Sequence, residues 1–141
     1  MGMASIPEIL NQQMNHQKIN YVGIETELII IDWAKKYVSN TLTQQITWIN
    51  DDAEKAIYAI KNQFDLICID VFVHSTVPDF ALQINYFEQC KKLLHPNGLL
   101  ILNVLPNALP LNNNYQQNFE LVFKQHKIIP ISQNQILVGY N

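Results

Sequence analysis

The sequence predicts a single α/β domain over residues 1–141, built on a mostly parallel β-sheet with helices on both faces and closed by a C-terminal antiparallel hairpin. Three observations predict it. Short apolar runs alternate with segments of helical period. Two of the runs, residues 64–72 (FDLICIDVF) and 99–105, are nearly continuous in apolar character, which is how strands buried on both faces of a parallel sheet read. The chain then closes on two strand-like runs around Ser132-Gln133-Asn134. A length of 141 residues suits one core.

Residues 19–24 are short, β-branched and apolar, and read as a strand. Residues 28–38 place apolar side chains at helical spacing, with Lys35 and Lys36 in the last turn, where cations suit the helix dipole. Residues 45–49 read as another strand. Asp51 or Asp52 can cap the helix that follows through Ile57 and Ile60. The strand 64–72 comes next. Residues 79–94 read as a helix that stops at the turn His95-Pro96-Asn97-Gly98. After the strand 99–105, residues 106–114 form a polar, proline-punctuated loop and 115–126 the last helix. Residues 127–131 and 135–140 are the arms of the hairpin, which adds an antiparallel strand at one edge.

Hydrophobic residues make up 48% and charged residues 15%, with a net charge of −3. This composition is globular and lacks the basic footprint of a nucleic-acid binder. No apolar run reaches the length needed to span a bilayer, so no membrane role is expected. Residues 1–10 have neither a basic start nor a long apolar stretch, unlike a signal peptide. Ile6 stands where a myristoylation signal needs Ser or Thr. A cytoplasmic location follows as the expectation, with Cys68 and Cys90 as buried reduced thiols. His16, His74, His95 and His126 are scattered without ligand spacing, so no metal is expected.

Open α/β sheets bind ligands outside the carboxyl ends of their strands. The polar residues there are Glu25, Asp52 with its neighbour Asp51, and Asp70. A carboxylate at Glu25 can accept from both hydroxyls of a ribose. A helix N-cap or a solvated strand end accounts for it equally well. Gly2 lies upstream of Glu25 at close to the roughly 20-residue spacing between a glycine turn and a ribose acid.

Several segments carry a family resemblance. Glu25-Thr26-Glu27 followed by residues 28–37 resembles the EID-type segment of spermidine synthases, with Ala34-Lys35-Lys36-Tyr37 in the register of the helix after it. Asn50-Asp51-Asp52-Ala53 resembles their GDA or GDG motif, and FDLICIDVF their YDVIIVDAF strand. Pro78, Tyr86-Phe87 and Leu94-His95-Pro96-Asn97-Gly98 match the VP, FF and L-x-P-x-G positions, and Asn103 stands where the next strand reads VVNV. Gly2-Met3-Ala4-Ser5-Ile6-Pro7-Glu8-Ile9-Leu10 looks like the second half of the glycine-rich loop G-x-G-G-x-x-P-x-x-L. The resemblance covers residues 2–104 and only loosely the tail.

The resemblance implies the Rossmann-like fold of the class I S-adenosylmethionine-dependent methyltransferase superfamily. It implies S-adenosylmethionine or its decarboxylated form as co-substrate, and aminopropyl or methyl transfer to a small acceptor. Glu25, with Thr26 beside it, would hold the ribose. Asp52 would accept from the adenine amino group, with Ala53 at the backbone contact; a slip of one residue would give that role to Asp51. Gly2 and Ala4 would line the ligand. Asp70 would bind the amine and take its proton as general base, although an acid ending a buried strand also occurs for structural reasons.

Two departures stand out. The strand that should precede the glycine loop is missing, which leaves the strands ending at Glu25 and Asp70 without the neighbour between them. A start codon assigned too late, a sheet that closes up or is completed by a partner chain, and a reduced relative that no longer binds the nucleoside are the three explanations. The first two are favoured, and if the chain starts at Met1 a homo-oligomer, a dimer or higher assembly that covers the open edge, is expected. Second, no acid follows Asp70 until Asp79, where spermidine synthases carry a second acid in a D-S-S-D-like loop. That weakens recognition of a diamine. A non-catalytic relative serving assembly is the alternative reading, and a dinucleotide-dependent oxidoreductase fits less well because the full G-x-G-x-x-G is absent. The central expectation is that Glu25, Asp52 and Asp70 converge on one adenosine-shaped crevice.

Overall fold

The computed structural model describes residues 4–14, 19–74, 76–110 and 113–141. The chain divides into two compact units, Met1–Ala56 and Ile57–Asn141.

The first unit begins with helix α1 (Ser5–Gln13) and strand β1 (Tyr21–Ile24). Helices α2 (Leu28–Tyr37) and α3 (Asn40–Thr43) lead to strand β2 (Ile46–Ile49). β1 and β2 pair in parallel, from Tyr21 opposite Ile46 to Ile24 opposite Ile49. Among the described residues, no strand pairs with the other edge of β1. The turn α3 lies where the sequence shows no helical run. Ser39 starts it, its Oγ accepting from the Leu42 amide at 3.4 Å. Its purpose is burial: Leu42 closes a small core with Ala4 and Ile46, flanked by Tyr21, Val38 and Trp48.

Helix α4 (Ala53–Ala59) spans the division between the units. The second unit continues with strand β3 (Phe64–Ile69), a 3-10 turn (Asp79–Leu82) and helix α5 (Ile84–Lys92). Strand β4 (Leu94–Val104), a short 3-10 turn (Pro106–Ala108), helix α6 (Tyr115–Val122) and strands β5 (Gln125–Ile131) and β6 (Asn134–Tyr140) complete it. The strand order is β3-β4-β6-β5. β3 and β4 run parallel, while β6 lies antiparallel between β4 and β5. The hairpin expected at the C-terminus is therefore present, and it inserts β6 next to β4. Its loop is Ser132-Gln133, tighter than expected, with Ser132 in the left-handed region at φ 56°.

Alternation along β4 builds the core. Leu100, Leu102 and Val104 are fully buried on one face, with Leu137 of β6 beside them. Against them pack Tyr86, Phe87 and Cys90 of α5 and Phe119 of α6. Phe119 stands edge-on to Phe87 at 5.3 Å and stacks on Phe123 at 5.0 Å. Each such ring contributes about 1.5–3 kcal/mol by leaving water.

Four expectations are corrected. Residues 79–94 are not one helix. Gln83 is extended (φ −90°, ψ 149°), which separates the 3-10 turn from α5. The break lets Ala81 and Leu82 bury as well as Tyr86 and Phe87, and the Asn118 side chain donates to the freed Leu82 carbonyl at 3.0 Å. The turn at residues 95–98 is a bulge inside β4, since Phe64 opposes Leu94 and Leu66 already opposes Leu99. Asn97 takes φ 67° there, and the Asn141 backbone bonds both Asn97 and Gly98. α6 stops at Val122, because an extended Phe123 (φ −103°, ψ 91°) turns its ring into the core and starts the path to β5. Finally, β3 is not buried on both faces. Only Ile69 is fully buried, since β4 is its one strand neighbour among the described residues.

Two tests follow. A methyl group on Gly139 would sit 2.5 Å from Cγ of Phe123 and 3.0 Å from Cζ of Phe119. Those rings are locked by their stacking, so Gly139→Ala should cost about 1–3 kcal/mol in urea unfolding with an unchanged m value. Burial pushes the Cys90 thiol up to about 12, and burial reinforced by the Asp70 carboxylate pushes Cys68 up to about 11. Below the ordinary thiol value of 9.0 both states keep the proton, so the thiols add no pH dependence. Above it the unfolded chain ionises first, and stability should fall as pH rises through about 9 to 12, less steeply in Cys90→Ala. At pH 8 both thiols should react with a disulfide reagent far more slowly than in the urea-unfolded chain.

Candidate functional site

The parallel pairing of β1 and β2 fixes where the first set of candidates lies. Both strands end at the same side, so Glu25 and Asn50 follow the paired residues Ile24 and Ile49. The Glu25 amide continues the ladder, donating to the Ile49 carbonyl at 3.1 Å. The Asn50 side chain then reaches back across the sheet end. Its Nδ2 donates to the carbonyls of Glu25 at 2.9 Å and Thr26 at 2.8 Å. This clamp satisfies two backbone acceptors where the ladder stops, and it holds the Glu25-Thr26-Glu27 turn against the start of the Asp51-Asp52 turn.

Glu25 is half-buried. One carboxylate oxygen, Oε1, accepts from the Glu27 amide at 3.2 Å and from Thr26 Oγ1 at 3.5 Å. The carboxylate is thus oriented by this turn. Glu25 is not the N-cap of α2, which is Glu27; its carboxylate braces the turn that leads from the strand end into that helix. Asp52 is the cap of α4. Its Oδ1 accepts from the Glu54 amide at 2.8 Å, and its carbonyl from Lys55 and Ala56. Asp51 is exposed and turns Oδ1 onto the Asp52 amide at 2.7 Å. Ala53 is the first residue of α4, half-buried beside Asp52. Glu25, Thr26, Asp52 and Ala53 are thereby brought to one end of one sheet.

The glycine-loop candidates fare differently. Gly2 lies outside the described residues. Ala4 is fully buried, with its side chain in the core of the first unit against Leu42 and Ile46. It precedes α1 with φ 64°, a left-handed conformation that a glycine takes without the Cβ penalty. The backbone here keeps the shape of a glycine position, while the residue itself packs inward.

In the second unit, Asp70 directly follows β3 and is exposed. Asn103 of β4 donates from Nδ2 to Asp70 Oδ1 at 2.9 Å. Asn134, the first residue of β6, donates to Asn103 Oδ1 at 2.7 Å. Next to it, Gln135 Oε1 accepts from the Tyr115 hydroxyl at 2.7 Å and from Gln116 Nε2 at 2.8 Å. Burial raises the Tyr115 hydroxyl above its ordinary range, and its bond with Gln116 opposes the shift. All these groups share the sheet end at which β3 and β4 finish, because Asn103 lies opposite Ile136 and Val104 opposite Gln135.

Sequence reading missed Asn50, Asn134 and Gln135. Asn50 is visible as an amide ending a strand, but its reach to Glu25 needs the register of β1 on β2. Asn134 and Gln135 become neighbours of Asn103 only through the antiparallel pairing of β4 with β6. An open depression of about 460 Å³, lined by Lys124, Gln125, His126, Lys127 and Tyr140, lies at the other end of this sheet, where β4 begins. It shares no residue with the candidates. Among the described residues no group of His, Cys, Asp and Glu could hold a metal ion, and no helix is long and apolar enough to cross a membrane.

No family model matches the sequence. A probable polyamine aminopropyl transferase of Bifidobacterium longum is 24% identical over 104 residues, which span 74% of this chain and 22% of that protein. A probable spermidine synthase from Corynebacterium glutamicum superposes with a TM-score of 0.82 at 18% identity, over 99% of this chain and 53% of the other. Human methyltransferase-like protein 13, solved with S-adenosylhomocysteine (SAH), gives 0.79 at 17% identity, over 98% of this chain and 67% of that one. The chain thus spans under a quarter of that aminopropyl transferase and about half of that synthase. The fold is the Rossmann-like methyltransferase fold with C-terminal antiparallel strands, as the motifs implied.

The clamp can be tested directly. Asn50→Ala removes two side-chain bonds at the end of the β1–β2 sheet, so the amide of Glu25 should exchange with deuterium about tenfold faster than in the parent chain, with exchange in β3 and β4 unchanged.

Proposed function

We propose that this chain is the nucleoside-binding part of an adenosyl-sulfonium transferase of the spermidine synthase-like type, moving an aminopropyl or methyl group to a small acceptor. The observation that carries the proposal is the joined end of β1 and β2, where Asn50 ties together the turns bearing Glu25 and Asp52. The donor set fits the ligand class. A ribose offers two hydroxyl donors and an adenine one amino group, and the residues supplied are carboxylate acceptors. Glu25, with Thr26 at its side, would hold the ribose. Asp52 would accept from the adenine amino group, with Ala53 at its backbone contact.

The sulfonium, when bound, supplies an electrophilic carbon: the acceptor's lone pair forms the new bond, the carbon–sulfur bond breaks, and its electron pair stays on sulfur as a neutral thioether. Asp70 serves the acceptor. Its carboxylate would bind the ammonium form, take one proton and leave the amine neutral and nucleophilic. Asn103 donates to one of its oxygens and so fixes the carboxylate plane.

Conservative variants separate charge from structure. Glu25→Gln keeps an acceptor oxygen for the Glu27 amide, and Asp52→Asn remains a good helix cap. Calorimetric titration with S-adenosylmethionine, its decarboxylated form and methylthioadenosine should show binding to the parent chain. Each variant should weaken it about tenfold or more, as expected for loss of a charge-assisted bond. A folded chain that binds none of the three would instead support a non-catalytic relative that keeps only the fold.

A further inference from the structure

At the carboxyl end of β3 and β4 the hydrogen bonds run in a forced direction. A carboxylate only accepts, so Asn103 must turn its amino group to Asp70, and its oxygen is left to accept from Asn134. Asp70 is therefore followed along the sheet by neutral amides whose order it dictates. The acceptor oxygen of Asn103 is already used by Asn134, while Gln135, opposite Val104, belongs to the other face of the sheet with Tyr115.

None of the remaining acids of the second unit takes part in this chain of hydrogen bonds. Asp65 stands near the start of β3, and Glu88 lies on α5. Glu120 lies 3.6 Å from His126. Asp79 opens the 3-10 turn and is exposed.

We propose that this end of the sheet recognises an acceptor carrying a single ammonium group, with Asn103 and Asn134 as the residues that set this specificity. The inference rests on the transferase reading above and narrows its substrate class. One ammonium meets one carboxylate of fixed orientation. A second ammonium a few ångströms along would meet neutral amides, the Asn103 oxygen already engaged by Asn134, and would be desolvated without a counter-charge. An acid at position 134 would supply the missing charge. Asn103 could then donate one amino hydrogen to each carboxylate.

Propylamine and 1,4-diaminobutane distinguish the cases. They are titrated onto the full chain with and without methylthioadenosine, following the side-chain amide signals of Asn103 and Asn134 by NMR. Both amines should shift these signals, propylamine with an affinity about threefold or more above that of 1,4-diaminobutane, whose second ammonium loses water without a counter-charge. Asn134→Asp should tighten 1,4-diaminobutane about tenfold relative to propylamine, leaving methylthioadenosine unchanged. In that variant the Asn103 signal is followed. Asp79→Asn should alter neither amine. Three results would overturn the proposal: a parent chain that binds the diamine as tightly as propylamine or more tightly, no shift with either amine, or an Asn134→Asp variant that is folded by its backbone spectrum and gains nothing for the diamine. If methylthioadenosine fails to bind while the amine pattern holds, the nucleoside reading falls and the single-ammonium site stands.

Discussion

The second unit depends on the pairing of β4 on both of its edges. β3 lies on one side in parallel, and β6 on the other in antiparallel. Every backbone group of the middle of β4 is then satisfied without water, which allows Leu100, Leu102 and Val104 to be fully buried. The same pairing decides the polar chemistry. Asn103 sits on the alternate face from these leucines, flanked on one side by the end of β3 and on the other by the start of β6. Its amide can therefore bond Asp70 and Asn134 together. Hydrophobic order and polar order are two readings of one alternation.

The first unit shows the same logic with fewer means. Two short parallel strands and a small core of Ala4, Leu42 and Ile46 carry a cluster of carboxylates at one sheet end. Pro7, Ile31, Ala34 and Ala56 of this unit are buried besides. The Asn50 clamp, the turn bond of Glu25 and the capping bond of Asp52 fix the local geometry at that end. Both acids proposed to hold a nucleoside already accept backbone amides. Each is thus held in place before any ligand arrives, which limits the entropy lost on binding.

Among the described residues, β1 has only β2 as a partner and β3 only β4. That explains why β3, whose composition reads as a doubly buried strand, is only partly buried. Helix α2 likewise leaves Ile29, Trp33 and Tyr37 exposed.

By itself the sequence determined the kind and order of most elements, because apolar periodicity and caps act over a few residues. Residues 28–38, the cap at Asp52 and the closing hairpin were legible for that reason, and so were the strand-end acids Glu25, Asp52 and Asp70. The tertiary structure decided what depends on distant partners. Gln83 breaks a helical run because two buried faces pull it apart, and Phe123 ends α6 because its ring is taken into the core. The bulge at residues 95–98 is held by Asn141, far along the chain. Asn50, Asn134 and Gln135 acquire their roles only when strand register sets them beside Glu25, Asn103 and Tyr115. Register is a long-range property: shifting a strand by one residue turns each side chain to the other face, and no local signal records which residue will stand opposite.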